Sequence, residues 1–323
     1  MNKLLEFTHC GIYCPKADCY IDPKRGVDRA IITHAHSDHA RRGSKHYLAH
    51  RLTVPVLHHR IGKKISTQPV EYGEEIIING VRFSLHPAGH VVGSAQVRVD
   101  HAGEVWVVTG DYKLEHDPLA GSFEPITCNV FCTESTFGLP VYRWAKSDGV
   151  VEDINEWWKS NKQNGTTSVL FGYSLGKAQR LLYSVDHSVG PVFVHPAIEQ
   201  INNLFRQHNI PIPPVHTLSE STAANELQSA LVIIPPNAMK NGWLDHVPRY
   251  STAYASGWMA TQGISWVRNT DTGFVISDHA DWDGLNEAVR LSGADRIYVT
   301  HGFTGQFSRW LCEQGYDAHP VDV

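Results

Sequence analysis

The chain has 323 residues, a net charge of −5 with histidine neutral, 42% hydrophobic and 19% charged residues. That balance suits an ordinary globular protein with a sizeable core, in one large or two modest domains, and carries no global signature of a polyanion binder. No run of about 18 apolar residues is present, and the start (MNKLLEFTHCGIYCP) lacks the apolar stretch of a signal peptide. The expectation is therefore a cytoplasmic protein without a membrane partner.

Taken in chain order, short apolar runs alternate with helical patterns, which predicts an α/β class. The six cysteines contain no CxxC pair. His9, Cys10, Cys14 and Cys19 are read as loop packing rather than as a small zinc site. The run Ala30 to Thr33 leads into His34. From Ala40 to Val70 no acidic residue occurs, while Arg41, Arg42, Lys45, Arg51, Arg60, Lys63 and Lys64 do. This stretch is either a solvated helical face or a local polyanion contact, and its place directly after the main motif favours contact. Val105 to Thr109 leads through Gly110 into Asp111, and Asn129 to Thr133 into Glu134. Residues 141–269 then show a separate rhythm. Helices are predicted over 150–162, 177–187 and 198–207, and strands over 167–172, 191–194 and 231–234. This reads as an inserted domain with a parallel sheet, splitting an outer domain of residues 1–140 plus 270–323. Phe274 to Ser277 leads through Asp278 into His279, and Ile297 to Thr300 into His301. Five apolar runs ending in polar residues suggest strands converging on one site, where a rigid strand holds a ligand and its end leaves it accessible.

The strongest motif is Thr33-His34-Ala35-His36-Ser37-Asp38-His39. Four potential ligands within six residues follow a strand, and imidazole and carboxylate are donors that a zinc-like ion accepts. Chance makes this spacing improbable even with 20 histidines.

HAHSDH resembles the signature of the metallo-β-lactamase superfamily, and other segments match in order. Ile21-Asp22-Pro23 is similar to its first motif, Pro87 to Ser94 to the third motif of the nucleic-acid-processing β-CASP branch, and Thr109 to Lys113 to the fourth. Cys132 to Gly138, Ser277 to Asp281 and Val299 to Gly302 resemble β-CASP motifs A, B and C. Gly11-Ile12-Tyr13-Cys14-Pro15 and Tyr20-Ile21-Asp22-Pro23 look like the bacterial ligase-associated DNA exonucleases. The resemblance implies an αββα metallo-β-lactamase sandwich with an inserted β-CASP cap. It implies two divalent ions, zinc first and manganese second. His34, His36 and His90 would hold one ion, Asp38, His39 and His301 the other, and Asp111 would bridge them. Asp22 would orient the site from behind. His279 is the candidate general acid, with Glu134 fixing its ring.

The turn Phe171 to Arg180 reads strand, glycine-containing turn, helix, so Ser174, Gly176 and Lys177 are candidate phosphate contacts. Lys113, Arg41 and Arg42 are further candidates, and Tyr112, Trp243 and Trp258 are candidate stacking residues. The expected function is 5′-to-3′ hydrolysis of single-stranded DNA in repair, beside an ATP-dependent ligase and a helicase. A ribonuclease, a hydrolase of small esters or thioesters, and a catalytically silent scaffold are the alternatives.

Overall fold

The computed structural model describes residues 3–321 except 244, 246, 248 and 262–269. In chain order, β1 (Glu6–Thr8), β2 (Gly11–Cys14), β3 (Cys19–Ile21), β4 (Arg29–Ile32) and β5 (His46–His50) precede the short helix α1 (Val54–Arg60). Then come β6 (Ser66–Val70), β7 (Glu75–Ile78), β8 (Val81–Pro87), β9 (Ala95–His101), β10 (Glu104–Val108) and β11 (Val130–Ser135). A second stretch holds α2 (Ser147–Gln163), β12 (Thr167–Phe171), α3 (Lys177–Ser184), β13 (Val192–Val194), α4 (Pro196–Gln207), β14 (His216–Thr217), α5 (Ala224–Leu227), β15 (Leu231–Ile234), β16 (Tyr250–Ala255) and β17 (Thr272–Phe274). The chain ends with α6 (Trp282–Ser292), β18 (Arg296–Gly302), α7 (Thr304–Glu313) and β19 (Asp317–Pro320).

The protein is α/β and forms two compact units, Met1–Pro140 with His279–Val323, and Val141–Asp278. The first unit carries two sheets, ordered β1-β2-β3-β4-β5-β6 and β19-β18-β11-β10-β9-β8-β7. Strand periodicity explains how they layer. In β10, Trp106 and Val108 enter a core shared with Ile21, Ile31 and Leu48 of the first sheet. Val107 points the other way, into a core with Trp282, Leu285, Phe307 and Leu311 of α6 and α7. Successive strand residues face opposite sides, so one strand serves both cores. The sheets therefore pack face to face, with α6 and α7 on the far side of the seven-stranded one.

The second unit is a sheet ordered β14-β13-β15-β12-β16-β17, parallel at every pairing. β12 and β15 are buried at every residue, as strands covered on both faces require. The expected boundary at Asn269 lies outside the described residues. The unit continues to Asp278 because Thr272–Phe274 pairs with Tyr250–Ala255. The run ending at His279 is thus not a fifth strand of the outer sheets: its strand is β17, and Ile276 to Asp278 are irregular. Among the described residues, no helix is long and apolar enough to cross a membrane.

Candidate metal centre

Three segments of the first unit bring the principal side chains together. The first is the loop after β4. Asp22, at the end of β3, accepts the Thr33 backbone N–H at 2.8 Å and the Thr33 hydroxyl at 2.5 Å. Its Oδ2 also lies 2.7 Å from Nδ1 of His39. One carboxylate thereby fixes both ends of the loop. From the C-terminal end of α1, the Arg60 guanidinium donates to the Ala35 carbonyl between His34 and His36. The second segment is the turn from Ala88 to Ser94, where the Ser94 hydroxyl accepts the N–H groups of His90 and Val91 at 3.1 and 3.2 Å. The third follows β10. Gly110 has φ +57°, and a Cβ there would lie 2.6 Å from the Thr33 side chain, so only glycine lets Asp111 approach the histidine loop.

His34 Nε2, His36 Nδ1, His90 Nε2 and an Asp111 carboxylate oxygen all lie within 4.8 Å of one another. His36 Nδ1 is 3.0 Å from His34 Nε2 and 3.1 Å from His90 Nε2. Asp111 Oδ2 is 3.5 and 3.7 Å from the same two nitrogens. Ligands about 2.0–2.1 Å from a tetrahedral ion stand about 3.3 Å apart, so these separations fit the edges of such a site. His39 adds a second indication. Its Nδ1 is taken by Asp22, while its buried Nε2 has no hydrogen-bond partner. That nitrogen is 3.4 Å from Asp111 Oδ1 and 3.9 Å from Asp38 Oδ2. A buried polar atom left without a partner costs free energy unless an ion or water meets it. The His301 ring stacks on His39 at 5.0 Å. This second group is looser: Asp38 is 62% exposed, and among the described residues Asp38, His39 and His301 form no group at mutual ligand distance.

The backbone aims His301 by an irregularity in β18. Glu134 pairs with Thr300 and Ser135 with Gly302, so His301 is the extra residue of a bulge. Its φ is +50°, unusual for a residue with a side chain. Gly302 follows with φ +76°, where a Cβ would lie 2.3 Å from the Ser135 carbonyl.

Burial, reinforced by the neighbouring His39, holds the His34 imidazole well below its ordinary pKa, in the neutral form a ligand needs. Burial opposes charge on His39 too, but Asp111 and Asp22 outweigh it and raise its pKa well above the ordinary value. Burial likewise works against the Asp111 carboxylate, and His39 and His279 overcome it, so Asp111 stays ionised well below the usual carboxylate range.

Glu134, 1% exposed, accepts the Tyr112 N–H at 2.8 Å and the Thr136 N–H at 3.3 Å. Both of its oxygens lie 3.0 Å from His279 Nδ1. That grip fixes the ring through Nδ1. His279 Nδ1 is 4.0 Å from Asp111 Oδ2, and Asp111, Glu134 and His279 also stand within ligand distance of one another.

The expected substrate contacts fare differently. Arg41 and Arg42 are exposed. Lys113 is 4% exposed with its ammonium 2.6 Å from Glu115, so its charge is spent inside the unit. Lys177 is 3% exposed, 3.2 Å from Asp278, and donates to the Ile276 carbonyl. The Gly176 N–H donates to the Gln179 side chain at 2.8 Å, which caps α3 where a phosphate was expected. Ser174 is half-buried beside it. Tyr112 is fully buried against Thr133 and offers no stacking face; Trp243 and Trp258 are half-buried, edge-on to His195 and Tyr142. Cys14 and Cys19 face each other across the β2–β3 pairing, buried in the core, and form no metal-binding group among the described residues. Sequence reasoning missed Thr33, Ser94 and Arg60. Thr33 and Ser94 lie inside the motifs and Arg60 in the basic stretch, but nothing in the sequence announces the partners they find.

No family model matches the chain. A "Probable DNA ligase" of Opitutus terrae is 30% identical over 98% of this chain, which spans 31% of that protein's length. "Endoribonuclease YSH1" of Saccharomyces cerevisiae is 33% identical over 127 residues, 38% of this chain and 16% of that protein. "Cleavage and polyadenylation specificity factor 73" of Drosophila melanogaster is 31% identical over 126 residues, 38% of this chain and 18% of that protein. A solved protein of unknown function from Enterococcus faecalis V583 has a similar fold, with a TM-score of 0.58 and 13% identity over 91% of this chain and 78% of the other.

Proposed function

We propose, from its kinship with β-CASP nucleases of the metallo-β-lactamase superfamily, that this chain is a metal-dependent DNA exonuclease acting beside a DNA ligase. On this reading Met1–Pro140 with His279–Val323 is the metallo-β-lactamase domain, an αββα sandwich, and Val141–Asp278 is the β-CASP cap. The observation that carries the chemistry is the close approach of His34, His36, His90 and Asp111, with the unpartnered His39 Nε2 beside them. The ligase association rests on the name of the Opitutus protein, which is about three times longer than the matched region.

His34, His36, His90 and Asp111 would hold one divalent ion, and Asp38, His39 and His301 would hold a second against the same aspartate. The donor set of imidazoles and carboxylates suits zinc and admits manganese. Such ions supply Lewis-acid charge at the phosphate and make water a better nucleophile. The chain's own residues do the rest. Asp22 holds the His39 ring by Nδ1, so Nε2 keeps its aim. Glu134 accepts the Nδ1 proton of His279, and His279 delivers a proton from Nε2 to the departing oxygen.

The test uses single strands labelled at either end, with purified protein and zinc or manganese. Progressive shortening from the 5′ end, abolished by EDTA, is the expected result. Survival of both labels, with EDTA making no difference, rejects the reading. The relatives named endoribonucleases favour a second reading, cleavage of RNA. RNA of the same sequence in the same assay separates the two.

A further inference from the structure

We propose that a cavity of about 480 Å³ in the first unit, at the N-terminal ends of β5 and β6, binds a phosphate of the substrate strand away from the metal centre. Its ligand is the phosphodiester backbone of a single-stranded nucleic acid. This inference rests on the nuclease reading and extends it to a part of the chain that reading does not use.

The walls are two loops, one running from Arg42 to Lys45 and the other from Ile61 to Ser66. Arg42, Lys45 and Lys64 supply three cations, while Gly62, where a Cβ would meet nothing within 4 Å, contributes bare backbone that a phosphate can approach closely. The whole chain is net negative, yet residues 40–70 contain no acidic side chain, so positive charge is concentrated here. The ion pair of Lys45 with Asp28, at 2.7 Å, joins groups 70% and 68% exposed. Such a pair is worth little, and a phosphate competes with it readily.

The cavity is also tied to the ligand loop. The Arg42 guanidinium donates through Nη2 to the Arg60 carbonyl at 2.9 Å, using one of its five N–H donors and holding the planar group in place. Arg60 in turn donates to the Ala35 carbonyl, inside the His34–His36 segment. One chain of hydrogen bonds therefore runs from the cavity wall to the metal-binding loop. A strand with one phosphate at the centre presents further phosphates at regular spacing, and fixed donors outside the centre position it without reading its bases.

The experiment measures binding of a fluorescent 15-nucleotide single strand by anisotropy across a NaCl series, with EDTA present to prevent cleavage. Wild type is compared with Lys64→Glu and with Lys45→Gln/Lys64→Gln. Each lost phosphate contact lowers the slope of log K against log salt by about 0.7 for a single strand. The expected result is a shallower slope and an affinity about 3- to 10-fold lower at low salt. Hydrolysis of bis(4-nitrophenyl) phosphate by the zinc-loaded variants stays at the wild-type rate, because that substrate is too short to span both places. Inorganic phosphate, added as competitor, displaces the strand only at far higher concentration. Wild-type slope and affinity in both variants would overturn the inference and leave the nuclease reading standing. Loss of bis(4-nitrophenyl) phosphate hydrolysis would also overturn it, by placing these lysines' effect at the centre itself. A wild type that neither binds nor cuts the strand would defeat the nuclease reading, and this inference with it.

Discussion

Asp111 is the residue on which the candidate centre turns, with His34 and His90 nearest one oxygen and His39 nearest the other. Asp111→Asn keeps the shape and removes the charge. It should weaken zinc binding at least about 10- to 100-fold in competition with a chromophoric chelator, and activity should fall with it. His279→Ala tests a different role. The ring is gripped by Glu134, yet it also stands within ligand distance of Asp111. As a proton donor it should leave zinc affinity intact while the rate drops about 10²- to 10⁴-fold. Equal loss of zinc in His279→Ala would make it a ligand and remove the assigned acid. At this scale the motif His34-x-His36-x-Asp38-His39 was readable as a candidate cluster, and the structure brings His34 and His36 to His90 and Asp111. Lys113 and Lys177 were not, because burial and pairing decide what a lysine does. The partner of Lys177 is Asp278, about a hundred residues on, and no local pattern announces it.

Strands and their ends carry the next layer. β4, β10, β11 and β18 were legible as apolar runs ending in candidate site residues, and the helices α2, α3 and α4 as periodic segments. The run ending at His279 was assigned to the wrong sheet, because Val, Ile and Phe look alike whichever strand they will pair with. The bulge at His301 was invisible for a related reason: register belongs to two strands at once. β5 carries a testable consequence of its own. His50 ends that strand buried, stacked at 3.7 Å on Tyr72, with its Nδ1 3.4 Å from the Leu52 N–H. Burial lowers its pKa to about 4, while Glu71 pulls it up and Arg51 pushes it down by smaller amounts. Above about pH 6.5 the ring is neutral in both folded and unfolded chain, and the site is neutral to stability. As pH falls from there toward 4, the unfolded chain takes a proton that the folded one refuses, so stability is lost, by up to about 3 kcal/mol. His50→Gln should be less stable at pH 7.5 through lost stacking, yet lose less on acidification. Urea midpoints for both proteins between pH 7.5 and 4.5 decide it; parallel pH dependences would show that His50 titrates normally.

Every residue of the candidate centre lies in the unit formed by Met1–Pro140 and His279–Val323, although the chain leaves that unit and returns only after Val141–Asp278. An ion held by Asp111 and His301 therefore closes a loop through the longest excursion in the molecule. Loop closure costs entropy that grows slowly with length, so a cation that binds only the closed form stabilises the fold by mass action. At a free zinc concentration about 100 times Kd, the gain is about 2.7 kcal/mol. Hydrogen exchange shows where that gain is felt. With one ion in the first group, zinc should protect residues 33–39, 88–94 and 109–113. With a second ion held by Asp38, His39 and His301, protection should extend to residues 299–302, on the far side of the excursion. EDTA should reverse both. Protection confined to the first three segments would leave a one-ion centre and remove the second ion from the proposed hydrolysis. Protection of the fourth as well is what two ions clamped on Asp111 require.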